Sequence, residues 1–212
     1  MLLLVGGGHT TSGSEYPPTW SVMLRDRMNT PAFLHKPASC HGKIPDLSPG
    51  RFAPGVTAVD YLLMVCGGNQ YGGNIESSCY SLDTNSDTPS WSVMASMPVA
   101  RGYYELITYG DAAFAIGGDN DYEWIKRVDR WTRKSGWTQM SNYPIDIQKH
   151  CSVADEGYDR IYSMGGYSSY YGKVPYNYYY TVSTNSWSQL NNLYWGAYNI
   201  ACGILRRRKT GN

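Results

Sequence analysis

The sequence predicts an all-β chain built from repeated four-stranded units, and three observations carry that prediction. A Gly-Gly doublet recurs at Gly67–Gly68, Gly117–Gly118 and Gly165–Gly166, in steps of 50 and 48 residues. Each doublet follows an apolar run ("YLLMVC", "AAFAI", "RIYSM") and precedes a tryptophan, at Trp91, Trp137 and Trp187. The composition is that of strands and turns: 20 Tyr, 7 Trp and only 3 Phe, with 23 Gly and 11 Pro among 212 residues. Tyr, Trp, Val and Thr suit a pleated, half-buried surface, and Gly and Pro punctuate it.

The units follow in order along the chain. Between doublet and Trp stands an aromatic residue: Tyr80, Trp131 and Tyr180. "YSLDTNS" before Trp91 matches "YTVSTNS" before Trp187, with the insertion "DTPS" in the earlier copy. A worn first copy runs from "LLLVGGG" to Trp20, whose "WSVM" recurs at residues 91–94. The units are therefore placed at 1–28, 50–97, 98–146 and 147–193, with an inserted loop at 29–49, a last strand at 194–205 and a basic tail at 206–212. In the second unit, strands are expected near residues 52–59, 61–66, 78–82 and 91–94. Four short strands in about 50 residues is the pattern of one propeller blade. A single four-stranded sheet cannot cover both faces, so blades stack around an axis. The glycines allow a backbone conformation or close approach that a side chain would block. The aromatic residues fill space between blades while their polar tips find partners.

The doublet, the aromatic about a dozen residues on and the later Trp resemble kelch repeats, and the resemblance covers most of the chain. It implies a kelch-type β-propeller of about four four-stranded blades. Kelch domains more often resemble six-bladed rings. Two arrangements stay open: "WGAYNIACGIL" completes the first blade of a small closed ring, or the chain is a portion of a six-bladed ring.

The blade geometry places a candidate site. Neighbouring strands are antiparallel, so the loop from strand two to strand three shares a face with the link between blades. Counting back 16 residues from the first glycine of each doublet gives Arg51, Arg101 and Lys149, expected to converge near the axis. Beside them come Asn69, Gln70 and Tyr71, then Asp119, Asn120, Asp121 and Tyr122, then Tyr167, Ser168, Ser169, Tyr170 and Tyr171. Tyr gives rigid amphipathic contact area and Arg gives forked hydrogen bonds, so the face reads as one for protein recognition. In kelch adaptors that resemble this chain, the same loops capture short peptides. The three cations favour an acidic segment. The expected function is non-catalytic protein binding, and the alternative is a propeller enzyme of galactose-oxidase type with a metal site.

Other classes find less support. With 18 Lys and Arg against 17 Asp and Glu, the chain lacks the basic excess of a nucleic-acid binder. No apolar run approaches the roughly 18 residues of a membrane span. Gly-x-Ser-x-Gly, His-Glu-x-x-His and phosphate-cradling patterns are missing. His35, Cys40 and His41 cluster in the inserted loop, but no second ligand pair stands at partner spacing. No metal or cofactor is expected. Cys66 and Cys79 flank one loop; pairing would suit an oxidising space, but free thiols acting as small core residues are the expectation. Cys151 and Cys202 read as packing residues in successive first strands. Without a visible signal segment, a cytoplasmic setting is favoured. Arg206–Lys209 reads as a solvated tail.

Overall fold

The computed structural model describes residues 45–70 and 73–204 in full, and the backbone of two strands near the start. Those two, β1 (Leu2–Gly7) and β2 (Trp20–Arg25), pair antiparallel. Three four-stranded antiparallel sheets follow, each in chain order. The second unit contains β3 (Gly55–Val59), β4 (Leu62–Cys66), β5 (Cys79–Asp83) and β6 (Trp91–Met94). The third contains β7 (Glu105–Tyr109), β8 (Ala112–Ile116), β9 (Val128–Thr132) and β10 (Gly136–Met140). The fourth contains β11 (Cys151–Asp155), β12 (Arg160–Met164), β15 (Asn177–Thr181) and β16 (Ser186–Gln189). Its loop carries a hairpin of β13 (Tyr167–Ser168) and β14 (Gly172–Lys173). The chain is all-β, and the sheets are propeller blades. Among the described residues, no helix is long and apolar enough to cross a membrane.

In the second and third units the second strand is the most deeply buried, with four of five residues of β4 and all of β8 inside, whereas in the fourth β12 alternates buried and half-buried residues. Between the second and third units pack Met64, Met97, Tyr104, Leu106 and Trp131; between the third and fourth pack Phe114, Ile116, Tyr143, Ile147 and Tyr180. Burying a large apolar side chain is worth roughly 1.5–3 kcal/mol, so the blade interfaces are the core.

The three doublets sit in like surroundings. Their glycines all have positive φ, from 58° at Gly165 to 106° at Gly166. The second glycine of each donates its amide to the next link: Gly68 to the Arg101 carbonyl at 2.9 Å, Gly118 to Ile147 at 2.7 Å, Gly166 to Ala197 at 2.7 Å. A Cβ on Gly118 would stand 2.6 Å from the Gly102 carbonyl oxygen, so both the twist and the crowding require glycine. The tryptophans are equally equivalent. Each indole donates to a backbone carbonyl one blade back: Trp91 to Pro45 at 2.8 Å, Trp137 to Ala95 at 3.1 Å and Trp187 to Ser141 at 3.1 Å. Pro45 therefore stands where Ala95 and Ser141 stand, so the end of the stretch read as an inserted loop is a blade link.

Several expectations are corrected. Tyr80 lies opposite Val65, whereas Trp131 and Tyr180 lie opposite Ala113 and Ile161; the residue opposite Leu63, and so equivalent to them, is Leu82. In the first unit, Trp20 lies directly opposite Gly7, so β2 does not occupy the place of β6. Residues 194–204 make no strand. They cross the start of β11 instead, where the Asn199 amide donates to the Lys149 carbonyl at 2.8 Å. That path brings Cys202 to Cys151, and the two form a disulfide with Cα atoms 5.9 Å apart. Cys66 and Cys79 are opposite one another on β4 and β5, 4.1 Å between Cα atoms, and are also bonded. Opposed positions at that spacing bring the sulfurs together, which overrides the free-thiol reading. Disulfides persist in oxidising compartments, so the cysteines give no support to a cytoplasmic setting.

Candidate functional site

The face after the doublets is built on short, pinned loops. Each begins with a bridge that ties it to the preceding link: Asn69 to Phe52, Asp119 to Gly102 and Tyr167 to Gln148. In the third unit, Asn120 Oδ1 accepts the amides of Tyr122 and Glu123 at 3.2 and 2.9 Å. This turn leaves the Tyr122 side chain in solvent, 91% exposed. In the fourth, Ser168 is buried and donates to Asp146 Oδ1 at 3.0 Å while accepting the Tyr170 and Tyr171 amides. Burial alone would raise the Asp146 pKa, but the bonds from Ser169 and Ser168 outweigh it and hold the carboxyl low. Tyr170 projects from the tip of the hairpin, 83% exposed. In the second unit, Gln70 Nε2 donates to Glu76 Oε1 at 2.5 Å. Tyr71 lies outside the described residues, as do His9, His35, Cys40, His41 and Arg206–Lys209.

The expected ring of cations does not form. Arg101 is fully buried, its guanidinium 2.5 Å from Asp129 and within 3.1–3.4 Å of the carbonyls of Ala115, Gly117 and Arg127. Arg51 is buried too, 2.7 Å from Glu76 and 2.7 Å from Ser78 Oγ. Both arginines hold their own blades together and present no charge to a ligand. Lys149 is a different case, because it is not the counterpart of Arg101. Ile147 accepts the doublet amide as Arg101 does, and Lys149 takes the position of Tyr103, with φ of 55° against 54°. Its ammonium lies 4.6 Å from the Tyr103 ring centre. With two of three cations withdrawn, the charge basis for an acidic partner is lost.

The face is aromatic and polar instead. Phe52 packs edge-on against Tyr103 at 5.6 Å and Tyr167 against Tyr198 at 5.4 Å, while Trp124 lies tilted against Tyr167 at 5.7 Å. Two hollows open beside the loop at residues 119–126. A cavity of about 240 Å³ lies between the carboxylates of Asp119, Asp121 and Glu123 and the link residues Tyr103, Gln148 and Lys149. A wider groove of about 700 Å³ runs from Trp124 past Pro144 and Ile145 to Tyr170 and Tyr171. Glu123 and Trp124 line both. Desolvation and Asp121 raise the Asp119 pKa, against the lowering effects of the Asp121 amide and Lys149. Desolvation, then Asp119 and Asp121, raise that of Tyr103. Among the described residues, no three His, Cys, Asp or Glu side chains gather to hold a metal ion.

Of the residues read from the sequence, the geometry brings Asp119, Asp121, Tyr122 and Lys149 to one cavity. Tyr103, Glu123, Trp124, Gln148 and Asp146 were missed. Tyr103 and Gln148 lie in links, where attention to cations alone passed over them. Trp124 was legible as an aromatic in the loop after the Gly117–Gly118 doublet.

Repeated doublets, indole-to-carbonyl bonds and four-stranded antiparallel sheets define a chain of β-propeller blades. No family model matches the sequence. Over 82 residues, 38% of the chain, it is 30% identical to alpha-scruin of Limulus polyphemus, a kelch-repeat protein, and the match spans 9% of that protein. The solved structure of YjhT, a kelch-type propeller, superposes with a TM-score of 0.61 at 15% identity, covering 73% of this chain and 55% of that one.

Proposed function

We propose that the chain is a protein-binding module that captures a peptide segment on the face after the doublets. One observation carries this reading. Tyr122, Tyr170 and Tyr171 stand exposed on consecutive loops of one face, their backbones pinned by side-chain-capped turns beside a groove of about 700 Å³. Aromatic side chains held in water by a rigid scaffold lose little entropy on binding and offer large contact area. The polar groups at the groove's edge, Gln139, Asn142 and Glu123, suit the backbone and side chains of a peptide.

A displayed random-peptide library selected on the purified protein tests it. Enriched peptides are expected to lose binding to a Tyr122→Ala, Tyr170→Ala variant and to keep it with Tyr61→Ala, Tyr158→Ala. The latter pair is exposed on first-hairpin turns at the opposite face. Equal loss in both variants would overturn the assignment of the face.

A further inference from the structure

We propose that the smaller cavity between the third and fourth units takes the guanidinium of an arginine in that peptide; the inference rests on the protein-binding reading of the face. Three carboxylates, Asp119, Asp121 and Glu123, line the cavity with a single cation, Lys149. The Lys149 ammonium is drawn over the Tyr103 ring, and Asp121 Oδ2 spends part of its capacity on the Ile75 amide at 2.9 Å. The cavity therefore keeps a negative excess.

A second observation is independent of charge. Gln148 lines the cavity, is only 5% exposed, and its Oε1 has no hydrogen-bond partner among the described residues. A buried carbonyl oxygen without a donor is costly. The oxygen is closed to water, so a ligand that brings N–H groups relieves that cost once the Gln148 amide turns towards the cavity, whereas a carboxylate ligand adds to it.

The shape selects among cations. The carboxylates do not converge on one point as a metal ion would require. A planar fork with five N–H donors reaches separated acceptors, and a compact ammonium does not. Tyr103 and Trp124 supply aromatic faces on which a guanidinium stacks. The cavity, at about 240 Å³, is far larger than one water's share of roughly 30 Å³. Because Glu123 and Trp124 also wall the groove, an arginine seated here carries its neighbours past Trp124 towards Tyr170. That continuity favours a peptide over free arginine.

Amide-resolved NMR titration tests the proposal with acetylated, amidated pentapeptides Ala-Gly-X-Gly-Ala, where X is arginine, citrulline or glutamate. The arginine peptide is expected to shift the signals of residues 119–124, 148 and 149. Citrulline, the uncharged isostere, should bind at least roughly tenfold more weakly, and Glu123→Gln or Asp119→Asn should weaken the arginine peptide by a similar factor. Glu123 is exposed, so its variant tests the charge even if Asp119→Asn perturbs folding. Citrulline binding as well as arginine would overturn this inference and leave the protein-binding face standing. Arginine amide alone binding as tightly as the peptide would overturn the peptide part. Shifts confined to the groove, or none from any pentapeptide, would overturn the arginine site, while the library selection decides the face separately.

Discussion

Asp129 receives two arginines of unlike standing. Arg101 reaches it at 2.5 Å from a fully buried position, and Arg127 chelates it at 2.8–2.9 Å from a partly exposed one. The two removals are therefore unequal. Asp129→Ala strands the Arg101 cation in a site without water, whereas Arg101→Met leaves Asp129 still paired with Arg127. Breaking a buried pair costs about 3–5 kcal/mol. Asp129→Ala should fall in that range and Arg101→Met clearly below it, read from urea midpoints. Equal costs would mean that Arg127 does not neutralise Asp129.

Gly118 and Gly110 separate crowding from backbone twist. Both have positive φ, 104° and 56°, but a Cβ on Gly110 meets nothing within 4 Å. Gly110→Ala should cost only the left-handed penalty of about 1–2 kcal/mol. Gly118→Ala adds the collision with the Gly102 carbonyl and should cost distinctly more. Thermal unfolding of the pair checks this, and similar losses would remove the packing argument for the doublets.

These glycines also show why the blades were legible and part of the site was not. The doublets and the tryptophans recur because a fixed backbone geometry and a fixed indole bond demand them. The register of the links is not protected in this way. The turn joining β11 to β12 holds Glu156, Gly157, Tyr158 and Asp159, two residues more than the turns at Asp60–Tyr61 and Gly110–Asp111. Counting 16 back from Gly165 therefore lands on Lys149, and the true counterpart of Arg101 is 18 back, at Ile147. The burial of Arg51 and Arg101 had no sequence signal of its own, since their partners Glu76 and Asp129 are distant in the chain.

The tryptophan bonds predict a graded effect. Trp137→Phe retains most of the ring packing against the second unit and removes the indole donor to Ala95. A net hydrogen bond is worth about 1 kcal/mol, so the loss should be of that order, with a similar loss for Trp187→Phe at Ser141. Tryptophan-to-leucine changes at the same sites should cost substantially more. If phenylalanine costs as much as leucine at either site, the indole bond outweighs the ring packing there.

A buried histidine and a half-buried glutamate shape the pH profile in opposite directions. Desolvation depresses His150 from 6.5 to about 3. The unfolded chain takes that proton as pH falls through 6.5 and the folded chain resists, so stability from His150 is complete above 6.5 and is lost towards pH 3. Desolvation raises Glu105 from 4.5 to about 7, against a backbone bond from Ser152 that lowers it. Its contribution is complete below 4.5 and is lost as pH rises to 7. Each slope is about 1.4 kcal/mol per pH unit, so the two cancel between 4.5 and 6.5. Glu105→Gln removes one slope and keeps the other. Relative to the parent, the variant should gain up to about 3 kcal/mol between pH 4.5 and 7, measured by urea unfolding at stepped pH. A difference between the two proteins that stays constant across that window would show that Glu105 ionises as freely folded as unfolded.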